Sequence, residues 1–320
     1  MKKHSKNRNN IEEVYRRAQD HYETRPGADP DADAGSIANA GASPANRAAF
    51  GRIRREMEAA KEAENAGAVN TPEPARPVRL KATGICKSFA DNPVLDNVSL
   101  ELRQGELVSL LGVSGGGKTT LFNIISGLLV PDQGRVLLDG GDITGKPGRI
   151  SYMLQKDLLL PYRTIRDNVA LPLLVKGISK KEARARAVEL FDDFGLAGTE
   201  LKYPAQLSGG MRQRAALLRT YMFSNDITLL DEPFSALDTL TKSAMHDWYL
   251  DVIEKLSMTT LFITHDIDEA ILLSDRVCLL TGKPGRVETE ITISEPRPRR
   301  KDFNLTGEFL EYKRQIIERL

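Results

Sequence analysis

The 320-residue chain predicts an α/β fold. Three observations carry this expectation. Residues 106–111, Glu106-Leu107-Val108-Ser109-Leu110-Leu111, read as a buried strand. It leads into Gly112-Val113-Ser114-Gly115-Gly116-Gly117-Lys118-Thr119-Thr120 and then into a helical pattern over 118–129, with Leu121, Ile124, Ile125 and Leu128 on one face. Further short apolar runs at 150–154, 227–231 and 259–264 read as strands, and each is followed by a polar residue: Gln155, Glu232 and His265. Between them lie helix-rich stretches from 164 to about 201 and from 211 to 222.

The glycine-rich stretch fits the phosphate-binding pattern G-x-x-x-x-G-K-[ST] in the strand–loop–helix context that the pattern needs. Glycines let the backbone curl so that successive N–H groups point inward at a phosphate. The helix N-terminus adds partial positive charge there. Lys118 is expected to reach the β- and γ-phosphates, and the Thr119 hydroxyl to ligate Mg²⁺.

Composition bounds the rest. Apolar residues make up 41% of the chain and the net charge is +1, so no global bias points to nucleic acid. Cys86 and Cys278 sit in apolar runs without metal-type spacing and are expected to pack as small hydrophobes, which fits a reducing compartment. No stretch approaches the roughly 18 apolar residues of a membrane span. No apolar segment follows the basic residues 1–10, against a secretory signal.

Residues 1–77 differ from the remainder. Residues 26–49 are rich in Ala, Gly, Asp, Asn and Pro and bury too little to offset the entropy of ordering. Helical stripes flank them: Ile11, Val14, Tyr15, Ala18 and Tyr22, then Phe50, Ile53 and Met57. Residues 71–77 read as an extended linker. The expectation is a largely disordered extension with short helices; the other reading is a docking segment using Arg52, Arg54 and Arg55.

From residue 78 the elements follow in order. Residues 78–85 and 94–102 read as strands, with Phe89 on the loop between them, either a core aromatic or one that stacks on a base. A turn at 131–134 precedes a strand at 135–139 and a turn at Gly140-Gly141. Arg166, Lys176, Lys180, Lys181, Arg184 and Arg186 are expected on solvated faces. Ser208-Gly209-Gly210 open the helix at 211–222, either as a plain cap by Ser208 or as an anion-binding N-terminus. Asp231 stands at a strand end where a phosphate-loop fold holds Mg²⁺, and Glu232 is placed to orient or deprotonate water. His4, His21 and His246 read as surface residues.

In order, then, the chain carries a phosphate loop, Gln155 after a strand, Leu207-Ser208-Gly209-Gly210, Leu229-Leu230-Asp231-Glu232-Pro233, Ser235-Ala236-Leu237-Asp238 and Thr264-His265-Asp266. This order resembles the nucleotide-binding subunits of ATP-binding cassette (ABC) transporters, over residues 78–320. The resemblance implies a phosphate-loop NTPase cassette with a RecA-like core, an antiparallel β subdomain, a helical subdomain at 160–212 and a terminal helix at 306–320. It implies ATP and Mg²⁺ as cofactors. Phe89 would stack on adenine. Gly112, Ser114, Gly115, Gly116, Gly117, Lys118, Thr119 and Thr120 would hold the phosphates. Thr119, Gln155 and Asp231 would meet the metal, and Gln155 would also sense the membrane subunit. Glu232 would be the catalytic base and His265 the γ-phosphate switch. Ser208, Gly209 and Gly210 would bind the γ-phosphate held by a second cassette, with Asp238 at the dimer seam. Met211 departs from the Gln common at that place, away from phosphate contact.

The implied partners are a second copy of the chain or a homologous cassette, transmembrane permease subunits and, indirectly, a substrate-binding protein, with no nucleic acid. The implied location is the cytoplasmic face of the cell membrane. The run 153–164, the basic Arg297-Pro298-Arg299-Arg300, and Phe309, Leu310 and Lys313 resemble the importer branch for nitrate, sulfonates, taurine, bicarbonate or thiamine-precursor pyrimidines. Tyr162 stands where that branch often has Trp. In the terminal helix, Phe309, Ile316, Ile317 and Leu320 are expected to pack inward. The alternative reading is a soluble ABC ATPase uncoupled from transport; such proteins usually carry paired cassettes or a long coiled-coil insertion. A phosphate-loop GTPase would need an N-K-x-D base reader, which does not occur.

Overall fold

The computed structural model describes residues 76–223, 227–235, 239–297 and 299–320. The expected N-terminal helical stripes, His4, His21 and Asp238 lie outside these residues.

Two sheets organise the described chain. β1 (Val78–Phe89), β2 (Asn92–Arg103), β4 (Gln133–Leu138) and β5 (Gly141–Asp142) form an antiparallel sheet in the order β2-β1-β4-β5. Their residues alternate: Leu80, Ala82, Val98, Leu100 and Leu102 are buried while Lys81, Thr83 and Ser99 face out. That is the pattern of a sheet with one wet face. The second sheet contains β3 (Leu107–Leu111), β6 (Ser151–Met153), β7 (Ile227–Asp231), β8 (Thr259–Thr264), β9 (Arg276–Thr281) and β10 (Arg286–Thr292), in the order β10-β9-β3-β8-β7-β6. All neighbours in it are parallel except β10 against β9. β3, β7 and β8 are buried along their whole length, as expected of strands covered on both faces.

The helices are α1 (Lys118–Ile125), α2 (Ile165–Val169), α3 (Leu171–Val175), α4 (Lys180–Val188), α5 (Gly209–Phe223), α6 (Thr239–Leu256), α7 (Ile267–Leu273) and α8 (Gly307–Ile317). Successive residues of the parallel strands serve opposite cores. Leu229, Leu261 and Ile263 pack with Phe122 and Ile124 of α1 and with Leu80 and Val98 of the antiparallel sheet. Leu230 and Phe262 pack with Ile165, Phe191, Leu218 and Tyr249 on the helical side. A third cluster seats Phe303, Phe309 and Ile316 against Ile271, Val277 and Leu279.

Several expectations are corrected. The first helix stops at Ile125, not near 129, because Gly127 turns the chain at φ 79°. A Cβ there would sit 2.5 Å from the Lys146 carbonyl carbon, so the site is reserved for glycine. Leu128 therefore leaves the apolar face and is exposed. Phe89 ends β1 rather than lying on a loop. Cys86 is half-buried while Cys278 is fully buried. In α8, Phe309 and Ile316 point inward, but Ile317 and Leu320 are exposed, since a helix of 11 residues turns only one stripe to its neighbour. Arg184 is not merely solvated: its Nε and Nη2 each lie 2.6 Å from an oxygen of Asp167. His246 is not a surface residue; its ring packs edge-on against Phe234 at 4.8 Å.

Candidate nucleotide site

Parallel strands end on one edge, and that edge gathers the polar residues. β3 runs into Gly112, β8 into His265 and β7 into Glu232, while Gln155 follows β6 by two residues. The strand order β3-β8-β7-β6 sets the phosphate loop, His265, Asp231-Glu232 and Gln155 side by side. Open α/β sheets bind ligands at this edge.

The phosphate loop is shaped by close approach. A Cβ on Gly112 would stand 2.3 Å from the Leu280 carbonyl oxygen, and one on Gly117 2.8 Å from Leu95 Cδ2. Gly117 also takes φ 94°, which only glycine adopts readily. Lys118 Nζ donates to the carbonyls of Gly112 at 2.7 Å and Val113 at 3.0 Å, so the ammonium lies within the curl of its own loop. Burial pushes the Lys118 pKa down, against the opposing pull of Glu232 and Asp231. Ser114 is exposed, Gly115 and Gly116 complete the curl, and Thr120 lies in the first turn of α1.

Thr119 Oγ1 donates to Asp231 Oδ2 at 3.3 Å, and the Tyr152 hydroxyl donates to the same oxygen at 3.4 Å. Burial pushes the Asp231 carboxyl up and Glu232 adds to this, while the hydrogen bonds from Thr119 and Tyr152 oppose it. A hydroxyl and a carboxylate within a hydrogen bond of each other are hard oxygen donors. Such a pair fits Mg²⁺, which takes one or two protein ligands and fills its remaining positions with phosphate oxygens and water. Among the described residues no three His, Cys, Asp or Glu side chains form an all-protein metal cage.

Glu232 adopts φ 48°, a left-handed conformation rare outside glycine and one that clusters at functional sites. Its N–H donates to Ile263 O at 3.0 Å, pinning the turn to β8. The carboxylate is held from both sides. Gln155 Nε2 donates to Oε2 at 2.9 Å, and His265 Nδ1 lies 3.2 Å from Oε1. An ionised carboxylate only accepts, so against an ionised Glu232 the donor would be Nδ1, which leaves Nε2 for another partner. An open cleft of about 750 Å³ in front of Glu232 is lined by Gln155, Ser235 and His265.

Not every predicted residue joins this group. Ser208, Gly209 and Gly210 open α5; Ser208 Oγ accepts from Met211 N at 3.3 Å and thus caps the helix. Among the described residues no hydrogen bond or ion pair joins these three to the phosphate loop. α5 is instead tied to the segment after Gln155: Arg212 Nε lies 3.3 Å from Asp157 Oδ2, and Arg219 donates to the carbonyls of Asp157 and Leu158. Phe89 is half-exposed, with Lys87 Nζ 5.7 Å from its ring centre. Two further residues of the site carry no distinctive signal in the sequence. Tyr152 reaches Asp231 from a three-residue strand whose pattern reads only as apolar. Gln213 is buried, lines the same cleft and has an unpartnered Oε1; its place between two arginines on α5 resembles an ordinary polar helix position.

Comparison with known proteins agrees with this geometry. The family described as ABC transporter matches residues 95–235. The formylaminopyrimidine import ATP-binding protein ThiZ of Halalkalibacterium halodurans is 45% identical over 235 residues, covering 72% of this chain and 91% of the relative. The aliphatic sulfonates import ATP-binding protein SsuB 2 of Burkholderia cenocepacia is 41% identical, covering 69% and 81%. The nitrate import ATP-binding protein NrtD of Synechocystis sp. is 37% identical, covering 69% and 86%. Among solved structures, a dimeric post-hydrolysis state of the ATP-binding cassette MJ0796 bound to ADP and Pi is 32% identical. It aligns with a TM-score of 0.58 over 67% of this chain and 98% of that one. The expected family and its nitrate, sulfonate and thiamine-precursor branch are borne out, and the chain belongs to the ATP-binding cassettes of the ABC transporter family, the ATPases that couple ATP hydrolysis to transport.

Proposed function

We propose that this chain is the ATP-hydrolysing subunit of an ABC importer, working as a dimer with a second copy of itself or a homologous cassette against transmembrane permease subunits. The observation that carries the reading is the Glu232 carboxylate, held between Gln155 and His265 beside the phosphate loop. Among the described residues no helix is long and apolar enough to cross a membrane. Association with the cytoplasmic face of a membrane would therefore come through the permease.

The roles follow from the chemistry. Loop N–H groups, Lys118 and the α1 N-terminus favour the triphosphate. Thr119 and Asp231, with Gln155 at the edge, would hold Mg²⁺, which when bound neutralises developing phosphate charge. Glu232 would take a proton from the attacking water. His265 Nε2, free once Nδ1 faces Glu232, would meet the γ-phosphate. Phe89 would stack on adenine, its half-exposed ring being open to a base. Ser208 and Gly209 are exposed and Gly210 is half-exposed within one chain, which supports the use of all three on the nucleotide of a second cassette, with Asp238 at the seam. ATP then joins two subunits through charge-assisted hydrogen bonds, and loss of phosphate releases them. The ties from Arg212 and Arg219 to the segment after Gln155 would pass that motion between the helical region and the catalytic edge.

For the cargo, the named relatives support a small organic or inorganic anion or a pyrimidine precursor: nitrate, sulfonate, taurine, bicarbonate or a thiamine-precursor pyrimidine. The test is reconstitution with the cognate permease and binding protein in liposomes. Stimulation of ATPase activity by one of these compounds is expected. Stimulation only by a sugar, peptide or amino acid would overturn the substrate class, and failure to co-purify with any permease would overturn the importer reading.

A further inference from the structure

A buried carboxylate follows His265 by four residues in the chain. Glu269 of α7 is only 4% exposed. Its Oε1 lies 2.9 Å from His246 Nε2 and 3.5 Å from Lys242 Nζ. Its Oε2 accepts from the Thr264 hydroxyl, and its N–H donates to Asp266 Oδ1 at 3.1 Å. Thr264 Oγ1 in turn accepts from Asp266 N at 3.0 Å, and Lys242 Nζ donates to Asp266 Oδ2 at 2.6 Å. Both neighbours of His265 in the chain are thus fixed by one network, while the His265 side chain itself reaches out to Glu232.

Two members of the network come from a different element. Lys242 and His246 are one turn apart on α6, and Tyr249 continues their face. The same His246 ring packs edge-on against Phe234, two residues after Glu232, and Tyr249 also meets Phe234 edge-on, at 5.5 Å between ring centres. One face of α6 therefore touches the chain beyond β7 and, through Glu269, the turn beyond β8. Burying a carboxylate with its partners carries a desolvation cost that plain apolar packing of α6 on α7 would avoid. The ionic partners converge on the residues that flank His265.

We propose that Lys242, His246 and Glu269 are positioning residues for hydrolysis, through which α6 holds the turn Thr264-His265-Asp266 so that the imidazole faces Glu232. The inference rests on the assignment of His265 to the reacting phosphate. An ionised Glu269 can only accept, so His246 donates from Nε2, and a glutamine amide at position 246 can supply the same donor.

The test is a double-mutant cycle in the full-length chain, with kcat, the KM for ATP and thermal melting measured for each variant. His246→Ala is expected to lower kcat by about tenfold while KM stays within about twofold, since small misplacement of a reacting group costs rate more than binding. His246→Gln should recover kcat to within about threefold of the parent. In the His265→Ala background, His246→Ala should change kcat by less than about twofold, because there is no imidazole left to position. Equal fold-losses in both backgrounds, or an unchanged kcat in His246→Ala, would overturn the proposal. If His246→Ala fails to fold, Lys242→Gln, at a partly exposed side chain, takes its place in the same cycle with the same two outcomes. A His265→Ala protein with parental turnover would instead remove His265 from its assigned role, and the inference with it.

Discussion

Replacing Glu232 by Gln separates chemistry from binding in this site. The substitution keeps the shape of the side chain and removes its charge. In the parent, Oε2 accepts from Gln155 and Oε1 faces His265 Nδ1. A glutamine amide can keep its oxygen towards His265 and turn its NH₂ towards Gln155. Gln155 then needs only to rotate its own amide to accept. The structural loss is therefore no more than one altered hydrogen bond, about 1 kcal/mol. The catalytic loss is larger, because an amide cannot take a proton: removing a general base costs about 10²–10⁴ in rate, or roughly 3–5 kcal/mol of barrier. Glu232 also repels Asp231 and any incoming phosphate, so nucleotide binding should tighten. The assay is phosphate release for kcat, fluorescence titration for ATP affinity and light scattering for assembly. The variant should bind ATP at least as well as the parent, turn over at least about 100-fold more slowly and accumulate as an ATP-bound dimer. Turnover within about threefold of the parent would refute the assignment of Glu232 as base.

Four other outcomes follow from the geometry. Ser208→Arg should abolish hydrolysis while the monomer still binds ATP in equilibrium titration, because Ser208 is exposed and shares no hydrogen bond with the phosphate loop; loss of monomer binding would refute the two-subunit site. Gly112→Ala drives a Cβ to 2.3 Å from a backbone oxygen that cannot yield, so both nucleotide affinity and the melting temperature should fall, with a stability loss of about 1–3 kcal/mol. Asp231→Asn should end ATPase activity yet raise the melting temperature at neutral pH. The folded carboxyl is pushed above its unfolded value, so its ionised form opposes folding, and the advantage of Asn should shrink as pH falls through the carboxylate range. Asn168→Ala should cost about 2–4 kcal/mol in denaturant unfolding, because its buried side chain accepts from Leu160 N and donates towards the carbonyls of Leu160, Arg163 and Thr164.

The sequence by itself determined the parts whose chemistry is local. The glycines before Lys118 declare a curled backbone, because the curl needs left-handed φ at Gly115 and Gly117 and close backbone approach at Gly112. The apolar runs ending at Asp231 and Thr264 declare buried strands, because strands covered on both faces need no polar alternation. A fixed order of such parts is enough to identify the family. What tertiary structure decided is everything that depends on which strands lie beside which. β3, β8, β7 and β6 are far apart in the chain, and only their parallel order makes Gln155 and His265 grip one carboxylate. Tyr152 gained its hydroxyl partner the same way. In sequence His246 reads as a surface residue because polar residues on a helix usually face water. Its burial depends on Phe234 and Glu269, which reach it from two other elements, and no periodicity within α6 encodes that meeting. Leu128 differs for the opposite reason: the apolar stripe continues past Gly127 in the sequence, but the close approach of Gly127 to the backbone at Lys146, which ends the helix, exists only once the chain has folded back.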